Sequence, residues 1–393
     1  MINIENKEQC SGCRACSEIC PKGCISMQAD AEGFDYPVID NDKCINCGLC
    51  ERTCPQLIVK EPNSNSISYA AKSVEVEDVR TSSSGGIFTQ LAKWTIARNG
   101  IVYGTKFDDS WNVVFDKAEL VEQIEPLKTS KYVQANTNGV FSKIKKNLQD
   151  NKWVTFVGTP CQVKALHLYL KKDYPTLLTA DIICHGVPSP LVWNRYLSYR
   201  KQVDLADPEK YTITKINFRD KRIGWEKHCL SIKYSSVKSN KEQIYSECLS
   251  DDLYIRLFES DAMLRLSCYD CKSKGGCSGS DITIGDFWGI DKVVPEFNDH
   301  EGCSIVIVHT ALGGKVLSGL KLQIREADIQ LSLKENPSYF KSTAMPPQRA
   351  LFFKLIKKNA DFDCIKQTIF PSLSFTQRIV KSLSIRIKGF LTK

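Results

Sequence analysis

Residues 10–21 read CSGCRACSEICP and residues 44–55 read CINCGLCERTCP. Each is one copy of C-x2-C-x2-C-x3-C-P, the run with which bacterial ferredoxins hold [4Fe-4S] clusters. Three cysteines two residues apart wrap a loop around one face of a cubane, and the fourth diverges to the other cluster. The expected ligand sets are therefore Cys10, Cys13, Cys16 and Cys54 for one cluster, and Cys44, Cys47, Cys50 and Cys20 for the other. A pair of structural zinc sites would also need four cysteines each, but not this spacing ending in Cys-Pro. Cys24 is left over and reads as a buried thiol.

The rest of the chain bounds what such a module serves. Eighteen cysteines stand in 393 residues, and nine of them precede residue 55. The N-terminus has neither the basic nor the apolar region of a secretory signal, so the cysteines read as thiolates of a reduced cytoplasm rather than a disulfide scaffold. The net charge is +8, but from Cys364 onward there is no Asp or Glu, and six Lys and Arg lie there. The remainder is close to neutral, which argues against a nucleic-acid-binding protein. Ser372 to Lys393 alternates basic with apolar residues. It reads either as an interfacial helix touching the inner membrane face or as a terminal helix docked on the protein or a frayed basic end.

Beyond a polar linker at Glu61–Ser66 the pattern becomes α/β. Strands are expected at 100–104, 153–157, 177–183, 282–285 and 304–308, with helices from Ile87 and over 141–148. Cys161 and Cys184 each follow an expected strand, and Cys268 and Cys271 form a CxxC pair with Cys277 close behind. By spacing alone these are equally a third cluster on one side, or buried thiols or a zinc site on the other.

Six segments taken together carry a resemblance: SSSGGIF (82–88), GTPCQ (158–162), CHGVPSP (184–190), NFRDKRIGW (217–225), CYDCK (268–272) and DITIGDFWGI (281–290). In this order they resemble the family of beta subunits of coenzyme F420 hydrogenases and dehydrogenases, in its bacterial branch with a fused ferredoxin domain. The resemblance spans about residues 1–330. It implies an α+β, multidomain fold, with a two-cluster ferredoxin domain followed by a mixed α/β flavin and iron–sulfur domain. The expected parts are a ferredoxin domain over 1–60, a linker over 61–68, the N-terminal part of an FAD-binding region over 69–150, a part carrying the flavin-proximal cluster over 151–330, and a C-terminal extension over 331–393. It also implies FAD and a third [4Fe-4S] cluster on Cys161, Cys184, Cys268 and Cys271, with Cys277 as an alternative for one ligand.

Individual residues then take expected roles. Ser84, Gly85 and Gly86 precede a helix. By residue type they read first as a helix cap, and by resemblance as a pyrophosphate cradle. Thr159 belongs to the same set of cofactor contacts. Asp286 binds a flavin hydroxyl or caps a turn. Lys131-Tyr132 and Arg219-Asp220-Lys221 face an anionic flavin or substrate, or solvent. His185 relays a proton or supports the cluster. The implied function is a ferredoxin-linked flavin oxidoreductase acting on a small organic substrate, either the deazaflavin coenzyme F420 or a polysaccharide-pathway intermediate, with a ferredoxin or other redox protein as partner. The alternative is an electron-transfer subunit without a substrate of its own.

Overall fold

The computed structural model describes residues 2, 6–62, 65–137 and 139–371. The tail discussed above, Ser372–Lys393, lies outside them. Among the described residues no helix is long and apolar enough to cross a membrane.

The N-terminal part is a small domain built around its cysteines. Two short helices, Ala15–Ile19 and Leu49–Arg52, flank an antiparallel hairpin of β1 (Ile25–Ala29) and β2 (Asp35–Ile39). Its core is thin: Ile2, Cys16, Cys24, Ile25, Cys50 and Cys54 make up the buried cluster. So few apolar side chains cannot hold a fold of this size alone, which is the usual situation of metal-stabilised modules.

The chain then enters an α/β domain. Its strands are β3 (Ile67–Ser73), β4 (Ile101–Phe107), β5 (Val113–Ala118), β6 (Val154–Gly158), β7 (Leu177–Ile182), β8 (Tyr211–Asp220), β9 (Cys229–Ser236), β10 (Glu242–Cys248), β11 (Ile282–Asp286), β12 (Ser304–Val308) and β13 (Leu322–Ala327). Eight of these form one sheet in the order β13-β3-β12-β11-β7-β6-β4-β5. The pairs β4–β6, β6–β7 and β7–β11 are parallel, so these four strands end at one edge. β6 and β12 are buried along their whole length, which is why they read in sequence as unbroken apolar runs. Segments 69–150 and 151–330 thus contribute to the same sheet. β3 begins at Ile67, so the linker expected over 61–68 is shorter. Its last two residues are captured by pairing with β12 and β13.

β8, β9 and β10 form a separate antiparallel sheet. It packs with the helix Pro190–Asp204 and the C-terminal helices Arg349–Lys357 and Phe362–Ile369 around Trp193, Tyr196, Phe218 and Tyr254.

The ferredoxin domain is seated on this body at several points. Glu18 accepts from the Gly139 and Ser142 amides at the start of the helix Val140–Gln149. Thr137 Oγ1 donates to the Cys13 carbonyl at 2.7 Å. Arg349 Nη2 donates to Glu32 Oε2 at 2.6 Å. Gly33, at φ +80°, lies so close to Leu191 that a Cβ would sit 2.2 Å from that side chain, so only glycine fits there.

A chain of cysteine cages ending in a cleft

Cys10, Cys13, Cys16 and Cys54 crowd one another electrostatically in the ferredoxin domain. Burial, then the neighbouring thiols, push Cys16 up to about 12 and Cys13 well above the ordinary thiol value. Cys20, Cys44, Cys47 and Cys50 line a second space, together with Cys24. Cys24 is buried, as its sequence suggested, but it is not remote: its sulfur lies 3.3 Å from that of Cys20. Cys47 is exposed, so this second cage reaches the surface.

A third space is lined by Cys161, Cys184, Cys268 and Cys271. Cys161 sits in the first turn of the helix Pro160–Leu170 that follows β6, and Cys184 lies just beyond β7. Cys268 belongs to the short helical turn Leu266–Asp270, and Cys271 follows it directly. Parallel strands deliver the first two, and the CxxC turn closes over them. Burial pushes Cys161 up to about 12 and Cys268 up to about 11. Four cysteines lining one space suit a cationic iron core, which supplies the charge that favours thiolate. The sulfurs surround the space rather than meet at a point. Among the described residues no three Cys, His, Asp or Glu side chains converge as they would on a single metal ion. Cys277 is not part of the lining. The same space is lined by Ser11 and Gln56 of the ferredoxin domain, so it abuts the first cage.

On its other side the third space shares residues Cys184–Val187 with a large cleft. The cleft has a volume of about 530 Å³ and opens at the carboxyl edge of β4, β6, β7 and β11. This is where open α/β sheets bind ligands, and the size is that of a cofactor site. Phe88, Val113, Leu127, Ile182 and Ile284 supply apolar wall.

The expected cofactor residues fall here unequally. Gly86, at φ +83°, starts the helix Ile87–Ile96, whose first turn faces the cleft. Ser84 lines the cleft, but its hydroxyl donates to the Cys303 carbonyl at 2.7 Å. Gly85 does not line it. A Cβ there would lie 2.4 Å from the Ala71 carbonyl, so this glycine lets the loop lie flat on β3. Thr159 lines the cleft and caps the helix Pro160–Leu170, its side chain and that of Gln162 satisfying each other's backbone amides.

Lys131 lines the cleft and donates to the Lys128 and Thr129 carbonyls at 2.6 and 3.1 Å; burial lowers it to about 7. Asp286 accepts from Arg219 Nη2 at 2.8 Å and Trp225 Nε1 at 2.9 Å, which makes it the anchor of a charged wall. In that wall Arg219 Nε and His228 Nε2 are buried without a hydrogen-bond partner among the described residues. The Arg219 N–H is an orphan donor, and because His228 Nδ1 donates to the Trp225 carbonyl its Nε2 is an orphan acceptor; such a pair calls for a ligand.

Lys221 is a correction. It is absent from the lining, because its ammonium donates to the Val79, Ser84 and Glu301 carbonyls at 2.9, 3.0 and 2.9 Å and so ties three loops together. His185 lies in the wall common to cage and cleft, with Nε2 2.5 Å from Asp261 Oδ1. Sequence reasoning took Arg219 as a contact to an anionic flavin or substrate rather than as the partner of Asp286, and it missed His228. It also missed Glu259, whose carboxyl lines the cleft and is raised by burial. A lone Glu in an apolar helix carried no signal.

A two-cage ferredoxin module seated on an α/β domain, with a further cysteine set beside a cofactor-sized cleft, defines an iron–sulfur protein of oxidoreductase type. Residues 9–58 match the 4Fe-4S dicluster domain, and residues 151–330 match the family described as the C terminus of the coenzyme F420 hydrogenase/dehydrogenase beta subunit. The latter match covers just under half of this chain, which is similar to that family there. It is similar to one subunit of the F(420)H(2) dehydrogenase of Methanosarcina mazei, 23% identical over 247 residues, which cover 59% of this chain and 70% of that one. An uncharacterized protein of Methanocaldococcus jannaschii is 24% identical over 204 residues, 43% of this chain; the match spans about half (55%) of that relative. Among solved structures, the F420-reducing [NiFe] hydrogenase complex from Methanosarcina barkeri includes a chain 16% identical, with a TM-score of 0.44 over 81% of this chain and 98% of that one.

Proposed function

We propose that the chain passes electrons inward from two ferredoxin-type clusters, through a third [4Fe-4S] cluster, to FAD in the cleft and on to a small organic substrate. The observation that carries this reading is the pair of shared walls. Ser11 and Gln56 join the ferredoxin domain to the third cage, and Cys184–Val187 join that cage to the cleft. FAD bound there supplies exchange between one-electron and two-electron chemistry. The first turn after Gly86 presents amides to a phosphate, and Lys131 adds a charge to it. Asp286, held by Arg219 and Trp225, accepts from a hydroxyl. His185 and Glu259 stand at the inner end of the cleft as proton carriers.

Iron, sulfide and flavin content of anaerobically purified protein tests this directly. About twelve irons and one FAD per chain support it, whereas about eight irons and no flavin leave only the ferredoxin module. Turnover of coenzyme F420 and of sugar intermediates then separates the two substrate classes. The exposed Cys47 favours a second reading, an electron-transfer subunit that meets a partner protein at this edge. Copurification of a stoichiometric partner together with an empty cleft would support it.

Lys131 gives the cleft a pH dependence. With its pKa lowered to about 7, the free side chain is mostly neutral above that pH. A phosphate in the cleft favours the charged form, so binding takes up a proton. Apparent flavin affinity therefore falls as pH rises above 7, and Lys131→Met flattens the slope. Equal slopes in a fluorescence titration of the two proteins would remove Lys131 from the site.

A further inference from the structure

One residue belongs to both sides of the gap between the first and third cages. The Arg265 amide donates to the Val187 carbonyl at 3.0 Å, and its own carbonyl accepts from the Cys268 amide at 2.9 Å. Val187 in turn donates its amide to Cys268 Sγ at 3.4 Å. The backbone of Arg265 is thus tied into the wall of the third cage.

Its side chain leaves that wall and enters the ferredoxin domain. Nε donates to the Cys10 carbonyl at 2.6 Å, and Nη2 donates to Cys10 Sγ at 3.4 Å and to the Asp35 carbonyl at 2.8 Å. Nη1 donates to Gln134 Oε1 at 3.0 Å, and Gln134 donates back to the Ser11 carbonyl at 3.1 Å. The guanidinium lies over the Tyr36 ring, 4.4 Å from its centroid.

Arg265 is 0% exposed, and none of these hydrogen-bond partners is a carboxylate; the Asp35 carboxylate pairs with Arg14 instead. A buried guanidinium without a carboxylate is costly unless some other anion answers it. A cubane held by four thiolates is such an anion, and its potential responds to hydrogen bonds on its sulfurs and to nearby charge.

We propose that Arg265 is the positioning residue that locks the first and third cages together and, through its charge and its bond to the Cys10 sulfur, holds the first cluster at a higher potential than the exposed second one. An electron arriving at Cys47 then runs downhill into the chain. The proposal rests on the reading that both cages hold clusters.

The test is a redox titration followed by electron paramagnetic resonance, with iron counts, on the full anaerobic chain and on Arg265→Gln and Arg265→Lys. The second cluster serves as the internal reference. The expected result is that Arg265→Gln lowers the first cluster against the second by at least tenfold in the electron-partition constant, about 59 mV for a one-electron step. Arg265→Lys, which keeps the charge but not the fork, shifts it in the same direction by less. Where the Gln variant fails to retain iron, the Lys variant carries the test. Unmoved potentials in an iron-replete variant overturn the bridge while leaving the third cluster standing. About eight irons in the parent protein overturn the third cluster and the bridge with it.

Discussion

On the proposed three-cluster reading, Cys184→Ser is expected to leave about eight irons per chain in place of about twelve, and to stop electrons from reaching the cleft, while the two ferredoxin-type signals survive. The reason is position. Cys184 lies just beyond β7, a strand buried in the middle of the sheet, and it lines both the third cage and the cleft. A serine there replaces a soft thiolate with a hydroxyl that is a poor iron ligand. The ferredoxin cysteines belong to a different part of the chain and keep their own backbone. Iron analysis and dithionite-reduced spectra of the variant check this. A variant that still held about twelve irons would take Cys184 out of the ligand set. Cys277 would not replace it without moving, since it lies outside the lining.

The largest loss of stability is expected from Trp193→Ala, about 3–5 kcal/mol. Trp193 is 0% exposed and stands at the centre of an aromatic group. Phe218 lies 4.9 Å and Tyr254 5.0 Å away between ring centroids. Its indole N–H donates to the Trp111 carbonyl at 2.9 Å. Truncation opens a cavity and orphans that carbonyl as well. Such a loss is a large part of the roughly 5–15 kcal/mol that holds a typical domain. Phe218 is the neighbour of Arg219, so on the proposed reading flavin retention is expected to fall with the melting temperature. Chemical denaturation followed by far-ultraviolet circular dichroism measures it. A change under about 1 kcal/mol would mean that the site collapses around the gap.

The legibility of this protein in its sequence follows the range of its contacts. The eight ferredoxin cysteines are local, so their spacing alone pairs them into two sets. Strands such as Val154–Gly158 and Ser304–Val308 are buried throughout and therefore read as unbroken apolar runs. The third cysteine set draws on positions 161, 184, 268 and 271, which only the sheet brings together. No spacing rule reaches that far, and family resemblance supplied the grouping. The β8–β10 sheet carried no strand signal. β8 has register shifts between Ile213 and Lys215 and between Asn217 and Asp220, and these break its alternation. Lys221, in a charged segment, reads as a contact to an anionic flavin or substrate, or as part of a solvated face. Three backbone carbonyls turn it inward instead, a fact no residue type reveals.

The seating of the ferredoxin domain has one more consequence. A free ferredoxin is a courier: it collects an electron, diffuses and delivers, and its rate scales with its concentration. Here Glu18, Glu32, Gly33 and the Cys13 carbonyl are pinned to the body of the protein. The courier has become a fixture. Along the proposed route, dilution leaves the inner steps untouched and slows only the delivery of electrons to the outermost cage.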